Sequence, residues 1–264
     1  YPADFADLST LTAALSEAKY VERKTARAEN LPRMGLQDPS AEGSEAVLVE
    51  LRGNGSSWTV MLGGRATGRT GQYVRFPPET QVWQINKFVP VEKSPTNWLD
   101  QTMVNVLSDR VVRVVIEHPD GEQLDLSKQD GEFRVPDVAE DEELKYSTVA
   151  SELSRALVNV RMTDLVTDSG PDWSEPVVSS YYCTDGLVVT AEAVEADGKY
   201  YLRLRGSIDS SVEEIAEEIR AEVADIEARS DRTFEVARYT FKEFTKRRAD
   251  LMKPSAEDGS DDAS

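Results

Sequence analysis

Cysteine and histidine each occur once in the 264 residues, and a run of about 18 consecutive apolar residues does not occur. The lone Cys183 cannot close an internal disulfide or build a cysteine-based zinc centre. The lone His118 would have to serve any Ser–His–Asp or Cys–His mechanism by itself. Without a long apolar run, no segment of this chain crosses a bilayer as a helix. Positive charge is scarce as well: 30 Lys and Arg stand against 49 Asp and Glu, leaving −19 and a pI near 4.5. That excess of carboxylates repels a polyanion at long range and argues against nucleic acid as a partner.

What is present suffices for a packed core. Hydrophobic residues make up 39% of the chain, which excludes global disorder. The chain opens at Tyr1 without an initiator Met, directly before a complete helical pattern. It reads as a fragment or processed product that a signal peptide or anchor could have preceded.

Phe5, Leu8, Leu11, Leu15 and Ala18 recur at steps of three and four, predicting a helix over residues 4–21 with Asp4 as N-cap. From Ser44 the period changes to two. Strands are expected at 46–52, 58–62, 73–76 and 81–85, an antiparallel meander with Asn54-Gly55 at a tight hairpin. Ser94 offers a cap for a short helix carrying Leu99, Met103 and Leu107, and strands follow at 111–117, 123–127 and 132–135. Residues 137–143 are almost wholly acidic and read as a solvated linker.

Beyond that linker the order begins again. Val149, Leu153, Leu157 and Val160 predict a second amphipathic helix, followed by strands at 179–183, 187–194 and 199–205. The recurrence suggests duplication of one α+β unit. Ser210 with Glu213, and Thr240 with Glu243, carry capping-box spacing for two more helices, with a strand at 233–237 between them. The fold class read from this pattern is α+β, with antiparallel meander sheets each covered by helices on one face. The expected units are residues 1–137 and 138–254, with 255–264 as a disordered acidic tail.

Four short strings, taken in order, carry a resemblance: Glu22-Arg23-Lys24-Thr25, Leu31-Pro32-Arg33-Met34-Gly35-Leu36-Gln37-Asp38-Pro39, Gly71-Gln72-Tyr73-Val74-Arg75 and Trp98-Leu99-Asp100. Together they resemble the bacterial DUF4340 family, a domain of unknown function. The ending Phe234-Glu235-Val236-Ala237-Arg238-Tyr239, leading to Lys246-Arg247-Arg248-Ala249-Asp250-Leu251, is similar to that family's strand followed by a basic helix. The resemblance implies a membrane-anchored protein on the outer side of the cytoplasmic membrane, beside an ABC transporter of the type associated with gliding motility. It supplies no catalytic residues.

The residues offer little chemistry of their own. Gly63-Gly64-Arg65-Ala66-Thr67-Gly68-Arg69-Thr70 approaches a phosphate-binding loop, but Arg69 replaces the required Lys and the following residues predict a strand where the motif needs a helix. His118 beside Pro119-Asp120-Gly121 reads as a solvated turn residue, and Cys183 as a small buried hydrophobe. The carboxylates lack calcium-loop spacing, so no metal and no cofactor are expected. Trp58, Trp83 and Trp98 read as core, whereas Trp173, in a polar loop, is an interface candidate if exposed. Lys246, Arg247 and Arg248 form the basic cluster of the chain, suited to a helix C-terminus or to contact with anionic lipid or an acidic partner. The functional expectation is a non-enzymatic accessory that binds a protein partner through Trp173, Lys246, Arg247 and Arg248. The alternatives are a solute- or glycan-binding module and a hydrolase with paired carboxylates.

Overall fold

A computed structural model describes residues 1–66, 70–136, 138–139, 142–167 and 170–254. The acidic tail expected at 255–264 lies outside these described residues. The chain divides into two compact units, Pro2–Leu99 and the residues from Asp100 onward together with Tyr1.

In the first unit Asp4 caps α1 (Phe5–Glu17), its carboxylate accepting the Ala6 and Asp7 N–H groups at 2.8 and 3.2 Å. The helix stops short of Val21 because Tyr20 and Val21, strand-favouring residues, enter β1 (Tyr20–Arg23) and pair with β5 (Val82–Ile85). With β2 (Val47–Gly53), β3 (Ser56–Arg65) and β4 (Gln72–Arg75) the sheet order is β1-β5-β4-β3-β2, antiparallel throughout. Asn54 and Gly55 both take positive φ, 49° and 76°, the combination that lets a two-residue hairpin follow the strand twist. Alternation splits the strands between two clusters: Val49, Val60, Leu62, Val74 and Ile85 pack with Leu11 of α1, while Met61, Tyr73 and Val82 pack with Leu36 from the preceding loop. Phe5, expected on the buried stripe, is 79% exposed.

The helix expected after Ser94 is a single 3-10 turn, Pro95–Trp98. Met103 belongs instead to β6 (Thr102–Val104), whose backbone groups are satisfied by β10 (Val160–Arg161), and Leu107 is exposed.

The second unit is built on one sheet of eight strands. β7 (Val111–Glu117), β8 (Gln123–Gln129) and β9 (Glu132–Arg134) precede α2 (Val149–Glu152), which continues as a 3-10 turn. After β10 come β11 (Asp164–Leu165), β12 (Val177–Cys183), β13 (Leu187–Ala196), β14 (Lys199–Ile208), α3 (Glu217–Glu227), β15 (Phe234–Val236) and α4 (Arg238–Phe244). The order is β11-β15-β14-β13-β12-β7-β8-β9, and β7 pairs with β12 from Val111↔Cys183 to Glu117↔Val178.

This pairing corrects the expected domain boundary. Strands on both sides of residues 137–143 share one sheet, so residues 138–254 form no separate unit, and the division falls between Leu99 and Asp100. The two sheets also differ in strand number and order, and no duplication is visible in them.

One face of the large sheet is apolar: Val114, Ile116, Leu124, Leu126, Tyr181, Val189, Ala191, Leu202 and Leu204 are buried, and α3 and α4 pack against this sheet. Alternate residues such as Arg113, Asp125, Glu192 and Arg203 form the other, polar face. The α+β class, with helices on antiparallel sheets, is therefore the observed one. Neither capping box is used. Asp209 turns the chain through its own carboxylate, which accepts the Ser211 N–H, so α3 begins only after Ala216; Thr240 is buried inside α4, whose N-cap is Ala237.

Candidate functional site

The predicted basic cluster follows directly on α4, and its position is set by the sheet beneath. Phe244 meets Tyr181 edge-on at 5.7 Å, and Phe241 tilts over Tyr200 at 5.0 Å. Past the helix end, the Lys246 carbonyl oxygen accepts a hydrogen bond from His118 Nε2 at 3.2 Å. His118 is thus a buried structural residue and not a solvated one.

Arg247 and Arg248 direct their charges inward. Arg247 pairs with Asp120 at 2.8 Å and with Glu122, both in the turn between β7 and β8. Arg248 reaches Glu142 at 2.8 Å and the Pro136 carbonyl at 2.8 Å, and its N–H donates to Glu122 at 3.0 Å. Lys253 completes the join through Glu143, and its N–H donates to the Glu143 carbonyl at 2.7 Å. Glu142 and Glu143, expected in a solvated linker, are therefore counterions to the C-terminal segment. The guanidinium of Arg247 holds Asp120 below its ordinary pKa; for Glu122 burial acts upward, and Arg247 with the Arg248 N–H outweighs it.

Two cations without a partner among the described residues sit on α4 itself. Arg238, Lys242, Lys246 and Arg247 line an open groove of about 360 Å³ with Tyr200, Phe241 and Thr245, and two acids, Glu195 and Asp250, line it too. Lys246 pairs with Glu243 at 3.5 Å. Arg238 and Lys242 are exposed and have no ion pair or side-chain hydrogen bond among the described residues. Tyr239, beside them, is 74% exposed. The set of three adjacent cations expected from the sequence leaves out Arg238 and Lys242, although the four-residue step from Arg238 to Lys242 to Lys246 is readable there.

Trp173 stands apart. It is half-buried, the Arg203 guanidinium lies 4.1 Å from its ring centroid, and its Nε1–H is buried without a partner among the described residues. It therefore offers no freely exposed ring for an interface. Trp83 and Trp98 pack on the first unit's core as expected, but Trp58 is 42% exposed.

The remaining chemical candidates resolve into packing. Gly63 and Gly64 belong to β3; a Cβ on Gly63 would come within 2.5 Å of the Met34 carbonyl oxygen, so this glycine admits a neighbouring backbone. Residues 67–69 of that motif lie outside the described residues. Burial pushes the Cys183 thiol up to about 12, and nearby Arg110 only partly offsets it because Arg110 is gripped by Glu222 at 2.8 Å and Asp185 at 2.7 Å. Asp125 and Glu142 are also shifted downward by arginine partners, which keeps them ionised and unsuited to donating a proton near neutrality. Among the described residues no group of three or more His, Cys, Asp or Glu side chains is arranged to hold a metal.

No curated protein and no solved structure matches the chain. A family model described as Domain of unknown function (DUF4340) matches residues 1–176, which takes in the four quoted strings and stops before the strand and basic ending at 234–251. With 176 of 264 residues matched, the chain belongs to the DUF4340 family.

Proposed function

We propose that this chain is a non-enzymatic accessory protein, held at the outer side of the cytoplasmic membrane by an N-terminal anchor, which contacts a protein partner of a gliding-motility-type ABC transporter. The location and the transporter association are what the resemblance to the DUF4340 family implies, and they are part of the proposal. The observation that carries the binding role is the α4 surface, where Arg238 and Lys242 stand exposed beside Tyr239 in a chain of net charge −19. What sets these two apart from other exposed cations is their place in a groove with Lys246, Tyr200 and Phe241, and having no counterion among the described residues they are suited to recognition more than to stabilising the fold. Crosslinking the full-length protein in intact membranes tests the reading. Transporter subunits are the expected capture, and their absence in a membrane where the transporter is expressed overturns it.

A second reading, a solute- or glycan-binding module, draws on the first unit. Tyr20 lies 5.1 Å from Trp83 and 6.1 Å from Phe76, and Phe76 lies 5.9 Å from Trp58. Tyr20 is 61% exposed, so part of this four-ring cluster faces solvent and could stack on a sugar. A saturable change in tryptophan fluorescence on adding cell-wall oligosaccharides, lost in Trp58→Ala, would favour it.

A further inference from the structure

The structure assigns the groove along α4 to an extended acidic peptide whose carboxylates fall at alternate positions. This names the chemistry of the partner proposed above and rests on that reading only in so far as the partner is a protein.

The assignment comes from spacing. Arg238 and Lys242 are four residues apart on one helix, a rise of about 6 Å. Lys246 lies past the helix end, where the helical rise no longer sets its spacing, and lines the same groove. In an extended chain, side chains on one side recur every second residue, about 6.6–6.8 Å apart. Alternate Asp or Glu residues therefore meet Arg238 and Lys242 without bending the peptide, whereas carboxylates on a compact turn would not. Tyr200 and Phe241 give the groove an aromatic lining for the methylene stems of the acidic side chains. Glu195 and Asp250, which also line the groove, interrupt the positive charge that a lipid surface would require, and Glu195 can accept a backbone N–H of the peptide. The concavity, about 360 Å³, also suits a chain segment better than a flat bilayer.

Charge selects the occupant further. A body of net charge −19 repels acidic peptides in general, so binding of one reports a local site and not bulk attraction. Arg238 and Lys242 hold no counterion among the described residues, so no ion pair has to break at these two when the peptide arrives; Lys246 alone would have to exchange Glu243 for it.

The test uses fluorescence anisotropy with a labelled decapeptide of five Glu-Thr repeats and its neutral counterpart of five Gln-Thr repeats. The acidic peptide is expected to bind, weakening as salt rises, and the neutral one is not. The double variant R238E/K242E should weaken binding at least about tenfold with an unchanged melting temperature, since neither side chain supports the fold. Arg220→Glu, a reversal at an exposed position on α3, should leave binding intact. Equal affinity in wild type and the double variant overturns the assignment. So does absence of peptide binding, whether or not these cations instead hold vesicles containing 30% phosphatidylglycerol or join two copies of this chain. If the peptide binds as expected but crosslinking in membranes yields no transporter subunit, the groove's specificity stands and the transporter association falls.

Discussion

His118 Nε2–H donates to the carbonyl oxygen of Lys246 at 3.2 Å, joining residues 128 positions apart. The carbonyl can only accept, so the proton resides on Nε2. The bond fixes the chain just beyond α4, where helical partners for the carbonyls have run out. His118→Ala is expected to lower stability by about 1–3 kcal/mol, the cost of stranding a buried acceptor. Urea unfolding measures the loss, and amide exchange at residues 246–251 should accelerate with it.

Arg247 should make stability depend on pH in acid. Asp120 and Glu122 have folded-state pKa values below those of the unfolded chain, so their contribution is complete above about pH 4–5 and is lost as pH falls through the folded values. The variant Arg247→Met removes the common partner of both. Its melting temperature should lie below wild type at pH 6 and converge with it near about pH 2. A gap that stays constant over this range would show that the guanidinium acts through packing alone.

Cys183 should resist thiol reagents in the folded protein. With its pKa pushed up to about 12, only about one thiol in ten thousand is ionised at about pH 8, and the residue is 4% exposed. A disulfide reagent should react at the normal rate after denaturation and at least about a hundredfold more slowly before it.

Gly63→Ala separates packing from phosphate binding. The added Cβ would press on the Met34 carbonyl and on Leu36, and the strain should destabilise the first unit by about 1–3 kcal/mol. Titration with ATP and magnesium, followed by calorimetry, should give no heat of binding in either protein.

Much of the fold could be read from local pattern because the strands carry their own signals. The turns at Asn54-Gly55, Asp130-Gly131 and Asp197-Gly198 all contain two residues with positive φ, and the strands beside them lie within two or three residues of their expected limits. Helix ends were less legible. Ser210 and Thr240 have the right neighbours for capping, but Asp209 turns the chain first in one case and burial of Thr240 moves the cap to Ala237 in the other. The domain boundary is not legible locally because β7 finds its partner in β12, about 65 residues later, and acidity at 137–143 says nothing about which strands pair across it. At the candidate site the basic character of Lys246, Arg247 and Arg248 was visible, but the carboxylates that hold Arg247 and Arg248, Asp120, Glu122 and Glu142, are more than 100 residues away. Only the periodic trio starting at Arg238 was local enough to find.

The adjacency of β7 and β12 governs the order in which the molecule can be completed. As the chain is synthesised, β7, β8 and β9 are finished while the long flank of β7 still has no neighbour, and it stays bare until residues 177–183 emerge. During that interval the nascent protein presents a ready template for strands of other molecules. A chain cut after residue 176, where the family match ends, would hold that exposed flank permanently and should accumulate as aggregate instead of as a usable domain.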